Sequence, residues 1–236
     1  MKLMILDGNS IINRAFYGVG YLSSKSGQPT GAVYGFLNIM QSLLDAEQPE
    51  ALAVAFDEKG PTFRHTAYEG YKATRKPMPD ELASQMPILK DILSAMHIPT
   101  YSLSGWEADD ILGTAGRICG EHGWDCVIVT GDRDSLQLVD DHVTVKLITT
   151  KGGQTRSVNY TPAVFQEEYG FSPKGLIDLK ALMGDSSDNY PGVPGVGEKT
   201  AKDLMHKFGT LDNVYAHAED EALKPALRRR LHEGRD

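Results

Sequence analysis

Two hydrophobic patterns alternate along the first 150 residues of the chain. Short runs rich in aliphatic and β-branched residues predict five strands, at residues 2–7, 51–57, 98–103, 125–130 and 143–148. Amphipathic stretches predict crossover helices at residues 31–46, 80–96 and 106–120. This alternation is typical of an α/β domain with a mainly parallel sheet.

The pattern changes near residue 161, beyond which only short helices are predicted. Pro162 and Pro173 open two of these helices, and a third covers residues 198–208 after a glycine- and proline-rich loop. We therefore predict two domains, a core of residues 1–182 and a helical subdomain of residues 183–236.

Composition limits the classes of protein that fit. The longest apolar runs are only as long as a strand, so we expect a soluble cytoplasmic protein with no signal sequence and no membrane partner. An apolar fraction of 41% is enough for a sizeable core. The two cysteines, Cys119 and Cys126, fit a reducing compartment, and we expect both to be buried.

Acidic residues follow the ends of four predicted strands, where ligands bind in parallel α/β sheets. One such acid alone would be a helix cap or a turn residue. Together, seven carboxylates at one sheet edge would repel one another unless cations lay among them. The seven are Asp7, Asp57, Glu107, Asp109, Asp110, Asp132 and Asp134. A further pair, Asp185 and Asp188, has the spacing of residues on one side of a helical turn.

Oxygen ligands suit hard divalent cations, and no pair of His or Cys has the spacing of a zinc or copper site. We predict two Mg²⁺ ions, with Mn²⁺ as a substitute. Two such ions can activate water and stabilise the leaving oxygen of a phosphodiester. Spacing alone leaves open which carboxylates bind metal directly.

The net charge of −8 at first argues against a nucleic-acid partner. However, nine of the 32 acidic residues are the ones named above, which leaves 23 against 24 Lys and Arg. If cations are bound at those nine, the rest of the surface is near neutral and can carry basic patches.

Residues 59–76 are basic and aromatic. Cations interleaved with rings are typical of an element that binds single-stranded nucleic acid, although a solvated loop is the alternative. On a helix, Lys72 and Arg75 would share a face that could approach a phosphate. The segment contains Lys59, Phe63, Arg64, Tyr68, Tyr71, Lys72, Arg75 and Lys76, against one acid, Glu69.

A glycine-rich loop, GVPGVGEKTA at residues 192–201, leads into a predicted helix. Its backbone amides could hold a phosphate without reading sequence. A nucleotide-binding P-loop fits poorly because Glu198 separates the glycine from the lysine, and a turn without a ligand is the other alternative. GxGxxxA is the helix-hairpin-helix spacing. We expect DNA contacts from Arg64, Lys76, Gly192, Gly195, Gly197, Lys199, Thr200 and Lys202.

Eight segments in order carry a family likeness: LDGNS (6–10), RAFY (14–17), TGAVYGF (30–36), AVAFDEKGPTFRH (53–65), YKATRKPMP (71–79), EADD (107–110), VTGDRD (129–134) and LMGDSSDNYPGVPGVGEKTA (182–201). Over residues 2–233 the chain resembles the 5′ nuclease (flap endonuclease) domain of bacterial DNA polymerase I.

The resemblance implies a Rossmann-like (PIN/5′ nuclease) core, a helical arch at residues 59–80, and a helix-3-turn-helix subdomain that often holds a potassium ion. It implies that Lys72 and Arg75 contact the scissile phosphate and that Tyr71 stacks on a nucleotide beside it. It also implies a first metal site at Asp7, Asp57, Glu107, Asp109 and Asp110, and a second at Asp132, Asp134, Asp185 and Asp188.

We therefore expect a monomeric, divalent-metal-dependent 5′-3′ exonuclease and flap endonuclease. Its substrates would be DNA flaps, nicks and RNA primer junctions in replication and repair. In the family the domain continues towards a polymerase, so we expect the chain to be joined to one in the full-length protein. Three alternatives remain. The first is a stand-alone flap endonuclease. The second is a non-catalytic DNA-junction binder, which would have no use for nine clustered acids. The third is a PIN ribonuclease, which should lack the arch and the glycine loop.

Overall fold

The computed structural model describes residues 1–151 and 154–234 of the chain, which divide into two units. The first unit contains Met1–Thr62 and Pro77–Thr161, and the second contains Phe63–Lys76 and the residues from Pro162 onwards. These units are defined by packing. The division by function, into residues 1–182 and 183–236, stays a prediction.

A six-stranded sheet lies at the centre of the first unit. Its strands are β1 (Lys2–Asp7), β2 (Ala51–Ala55), β3 (Thr100–Tyr101), β4 (Asp125–Thr130), β5 (Val143–Lys151) and β6 (Gln154–Tyr160). In the order β3-β2-β1-β4-β5-β6, all neighbours pair in parallel except β5 and β6, which are antiparallel. The predicted α/β class with a mainly parallel sheet is confirmed. The hydrophobic pattern does not predict strand β6, because QTRSVNY contains no apolar run.

The helices of the first unit match the predicted amphipathic stretches except at Gly8–Gly18, for which the pattern predicts no helix. They are α1 (Gly8–Gly18), α2 (Gly31–Glu47), α4 (Asp80–Ala83), α5 (Met86–Ala95) and α6 (Ala108–Glu121), with a 3-10 helix at Arg133–Leu138. The single helix predicted at residues 80–96 is in fact two. Pro87 lies in the first turn of α5, and a proline ring there would clash with the carbonyl group of residue 83 in a continuous helix.

The core of the first unit forms between the sheet and the helices α1, α2 and α5. Phe36, Leu89 and Val129 belong to one buried hydrophobic cluster there. Burial of each such side chain contributes about 1.5–3 kcal/mol, so the sheet that carries the acidic edge is firmly held. Cys119 and Cys126 are buried free thiols, as predicted. Within residues 1–151 and 154–234, every helix is too short or too polar to cross a bilayer.

The second unit is helical. Its helices are α3 (Phe63–Ala67), α7 (Pro162–Tyr169), α8 (Gly175–Met183), α9 (Glu198–Phe208), α10 (Leu211–Ala216) and α11 (Pro225–Glu233). The helix predicted at residues 198–208 is therefore confirmed as α9.

Two local predictions in the second unit are wrong. Asp185 and Asp188 do not lie on a helical turn, because Gly184 ends α8 with a φ of 77° and the chain enters a loop closed by a bridge between Asp185 and Tyr190. Lys72 and Arg75 do not share a helix: Lys72 lies in a turn after α3 with a φ of 52°, which no right-handed helix allows, and Arg75 lies in the irregular stretch that follows.

Candidate metal centre

Asp7 connects the sheet to the first helix. It is the last residue of β1 and the N-cap of α1, where its Oδ1 accepts the Ser10 amide at 3.0 Å. Its Oδ2 accepts the hydroxyl of Thr130 at 2.8 Å, across to the end of β4. Only 6% of Asp7 is exposed.

The electrostatics of Asp7 show that other acids are near it. Burial raises the pKa of Asp7 from 3.8 to about 6. The hydrogen bonds from Ser10 and Thr130 oppose that rise, and the negative charges of Asp57 and Asp132 add to it. A buried carboxylate beside two others favours a bound cation.

Asp57 lies just beyond β2 and is held from two sides. Its amide donates to Asn9 Oδ1 at 3.0 Å, and its Oδ1 accepts the amide of Ala108, the first residue of α6, at 2.7 Å. The carboxylate therefore points at the amino end of that helix, whose dipole favours negative charge.

Three more acids open helix α6. Glu107 is its N-cap and is 8% exposed, and its amide donates to Oδ2 of Asp110 at 2.9 Å. Asp109 accepts the hydroxyl of Ser135 at 3.3 Å, which ties α6 to the turn after β4.

Asp132 and Asp134 lie at the start of the 3-10 helix that follows β4. Asp132 caps the 3-10 helix by accepting the amide of Asp134 at 2.9 Å. The amide of Asp132 donates to Thr130 Oγ1 at 3.0 Å, and that hydroxyl in turn donates to Asp7. One threonine therefore connects Asp7 with the Asp132 turn.

Sequence reasoning did not identify the residues that hold these carboxylates in place. Asn9 accepts the backbone amide of Asp57, Thr130 donates to the Asp7 carboxylate, and the Ser10 hydroxyl accepts the Gly131 amide at 2.8 Å. The signal for them lies in LDGNS and VTGDRD, where polar residues flank the acids.

The second unit holds the remaining acid pair. Carboxylate oxygens of Asp185 and Asp188 lie within 4.8 Å of each other. Burial raises the pKa of Asp185, but hydrogen bonds from Lys180 and Ser187 outweigh it and lower that pKa to about 2. Lys72 Nζ is 4.0 Å from Asp188 Oδ1.

The predicted phosphate-contacting residues differ in exposure. Tyr71 is buried, with 3% exposed, and Lys72 is half-buried with its Nζ 4.8 Å from the centre of the Tyr71 ring. Arg75 and Lys76 are exposed, and the Arg64 guanidinium lies 4.5 Å from the centre of the Phe63 ring.

The glycine loop leads into α9, whose N-cap is Gly197. Gly192 and Gly195 have φ values of 60° and 76°, which favour glycine. On α9, Lys199 is exposed and Thr200 half-buried, while Lys202 pairs with Glu198 at 2.7 Å. Helix α11 also contacts the loop, because Arg230 donates to the Gly195 carbonyl group at 2.7 Å.

Comparison with curated proteins gives relatives of much greater length. The chain is 44% identical over 236 residues to DNA polymerase I of Caldicellulosiruptor bescii, covering 100% of the chain and 28% of that protein. It is 43% identical over 235 residues to DNA polymerase I of Bacillus subtilis, covering 100% of the chain and 26% of that protein. The chain thus spans about a quarter of the length of these relatives.

Solved structures share the fold. T5 5′-exonuclease with bound zinc has a TM-score of 0.76 and 24% identity, covering 99% of this chain and 84% of that one. A bacteriophage T5 flap endonuclease complex with DNA and metal ions has a TM-score of 0.75 and 24% identity, covering 99% and 84%. The catalytic core of Rad2 with DNA has a TM-score of 0.61 and 19% identity, covering 100% and 73%.

Two family models divide the chain between them. The N-terminal resolvase-like domain of 5′-3′ exonuclease matches residues 2–170, and the C-terminal SAM fold of 5′-3′ exonuclease matches residues 171–236. The resemblance inferred from the motifs is therefore confirmed, and the chain belongs to the 5′-3′ exonuclease family.

Proposed function

We propose that this member of the 5′-3′ exonuclease family is a structure-specific nuclease that cuts DNA flaps and RNA primers with divalent metal ions. The observation that carries the proposal is the burial of Asp7 beside the charges of Asp57 and Asp132. Such a group is unfavourable without a cation and has the oxygen ligands that a hard cation needs.

Mg²⁺ is the proposed ion, with Mn²⁺ as a substitute, because the donors are carboxylates. Bound divalent ions would activate the attacking water and stabilise the leaving oxygen. The first ion would be held by Asp7, Asp57, Glu107, Asp109 and Asp110. For the second ion the proposal keeps the predicted set of Asp132, Asp134, Asp185 and Asp188.

Lys72 and Arg75 are proposed to contact the scissile phosphate and to balance its developing charge. The distance of 4.0 Å between Lys72 and Asp188 supports a place for this amino group beside a metal ligand. The burial of Tyr71 favours a role in supporting Lys72, and stacking of Tyr71 on a nucleotide stays a prediction.

The substrate class is supported by the fold relatives, since the T5 flap endonuclease and the Rad2 core were both solved with DNA. In this chain the glycine loop would hold duplex DNA through its backbone amides, with a potassium ion as a further proposed ligand. We further propose that the chain acts as a monomer in the cytoplasm and that it forms part of a longer polymerase.

Cleavage of a labelled double-flap DNA, with and without Mg²⁺, tests the proposal directly. We expect Mg²⁺-dependent products with 5′ phosphate ends near the junction, and a loss of at least about 100-fold in Asp132→Ala and Asp185→Ala. Tight binding of the flap with no cleavage in Mg²⁺ or Mn²⁺ would instead indicate a non-catalytic junction binder.

A further inference from the structure

Two short segments of the second unit, far apart in the sequence, are held together by stacked rings and hydrogen bonds. The rings of Tyr68 and Tyr190 stack with centroids 5.3 Å apart and an interplanar angle of 18°. The Tyr68 hydroxyl donates to the Asn189 carbonyl group at 3.2 Å, and Asn189 Nδ2 donates to the Gly70 carbonyl group at 2.8 Å. We call these four residues the tyrosine clasp.

One side of the clasp leads directly to Lys72. The Lys72 amide donates to the carbonyl group of Asp188 at 3.0 Å, next to the clasp residue Asn189. Lys72 has a φ of 52°, a conformation that costs a lysine free energy and persists only when its surroundings impose it. The clasp is the surrounding structure that holds this turn.

The other side leads directly to the acids. Tyr190 and Asp185 exchange two backbone hydrogen bonds of 2.8 Å, which close the loop that carries Asp185 and Asp188. The Tyr190 ring also lies 5.8 Å from the Tyr71 ring, centroid to centroid. Tyr190 therefore joins the two segments: its ring packs on Tyr68 and Tyr71, and its backbone closes the loop of Asp185 and Asp188.

We propose that Tyr190 is a positioning residue: its ring, stacked on Tyr68, fixes the amino group of Lys72 relative to the carboxylates of Asp185 and Asp188. This inference rests on the proposed function, in which those three groups act on the scissile phosphate. Positioning of this kind affects turnover more than affinity, because a displaced catalytic group stabilises the transition state less while substrate binding changes little.

The test compares Tyr190→Ala with Tyr190→Phe on flap DNA at saturating Mg²⁺. We expect Tyr190→Ala to lower kcat by about tenfold or more with KM changed less than about threefold, because small displacements of catalytic groups are costly. Tyr190→Phe keeps the stacked ring and should stay within about twofold of the parent chain. Equal losses in both variants would overturn the inference.

The second unit offers a matched control. Phe208 and His217 form a stacked pair of nearly the same geometry, with centroids 5.3 Å apart and an angle of 21°. His217→Ala removes that stack without touching the clasp, so its kcat should be unchanged. A loss of kcat as large as that of Tyr190→Ala would show that loss of any ring stack has this effect.

A double-mutant cycle separates positioning from general destabilisation. If Tyr190 acts through Lys72, then Tyr190→Ala should lower kcat by less than about twofold when introduced into Lys72→Ala. Losses that multiply would mean that Tyr190 does not act through Lys72, and the inference would fail.

Amide hydrogen exchange gives a result that does not depend on cleavage. Exchange at the Lys72 amide should be at least about tenfold faster in Tyr190→Ala and unchanged in Tyr190→Phe and His217→Ala. Unchanged exchange in Tyr190→Ala would overturn the inference. If the parent chain cleaves no flap, the proposed function fails, and this exchange result still decides whether the clasp holds Lys72.

Discussion

At the scale of single residues, the buried carboxylate of Asp7 destabilises the metal-free fold but provides a ligand for the proposed cation. Its pKa is about 6 in the folded chain, against 3.8 for an ordinary aspartate. Folding therefore favours protonated Asp7, and the stability that this provides is complete below about pH 4 and is lost as the pH rises through 6. At neutral pH the ionised Asp7 carboxylate is destabilised by its burial, so a bound cation would stabilise it.

Asp7→Asn should therefore stabilise the metal-free chain at pH 7.5. We expect a free energy of unfolding higher by up to about 3 kcal/mol, since one pKa unit corresponds to about 1.4 kcal/mol. The gain should shrink as the pH falls from 6 to 4 and vanish at about pH 2.5, where Asp7 is protonated in both states. Urea denaturation in EDTA at these pH values measures it. A variant less stable than the parent at pH 7.5 would contradict this account.

At the scale of elements, the glycine loop depends on close packing against the end of α8. Gly192 has a φ of 60°, and a Cβ atom added there would overlap the backbone nitrogen of Gly184. Gly192→Ala should lower the free energy of unfolding by more than about 2 kcal/mol, because the strain of a left-handed alanine is joined by a backbone clash. Duplex affinity, measured by fluorescence anisotropy, should fall with it.

Gly209 isolates the conformational part of that effect. It has a φ of 81°, and an added Cβ atom would meet nothing within 4 Å. Gly209→Ala should therefore lower the free energy of unfolding by only about 1–2 kcal/mol, which is the effect of the left-handed conformation alone. Equal destabilisation by the two substitutions would show that the packing of Gly192 on Gly184 is unimportant.

At the scale of the whole molecule, divalent ions should stabilise the fold that binds them. A ligand at 100 times its Kd adds about 2.7 kcal/mol to the free energy of unfolding. We expect Mg²⁺ to raise the Tm of the parent chain, and to raise that of Asp57→Asn by much less. The exposed Asp91 on α5 provides the control, since Asp91→Asn should keep the full rise. Equal rises in all three chains would locate the bound ion elsewhere.

The sequence by itself determined the parallel α/β core, most of the helices and the location of acids at strand ends. These features follow from local periodicity and from the rule that parallel strands bring their carboxyl ends to one edge. The spacing of the glycines likewise predicts the glycine loop, because the loop needs backbone conformations that only glycine adopts readily.

Only the tertiary structure decided how those acids are held. Thr130 bonds to Asp7 from 123 residues away, and Asn189 bonds to Gly70 from 119 residues away. No local pattern encodes such pairs, because each depends on long-range packing that brings two turns together. The same packing imposes the left-handed conformation of Lys72, which the spacing of Lys72 and Arg75 does not reveal.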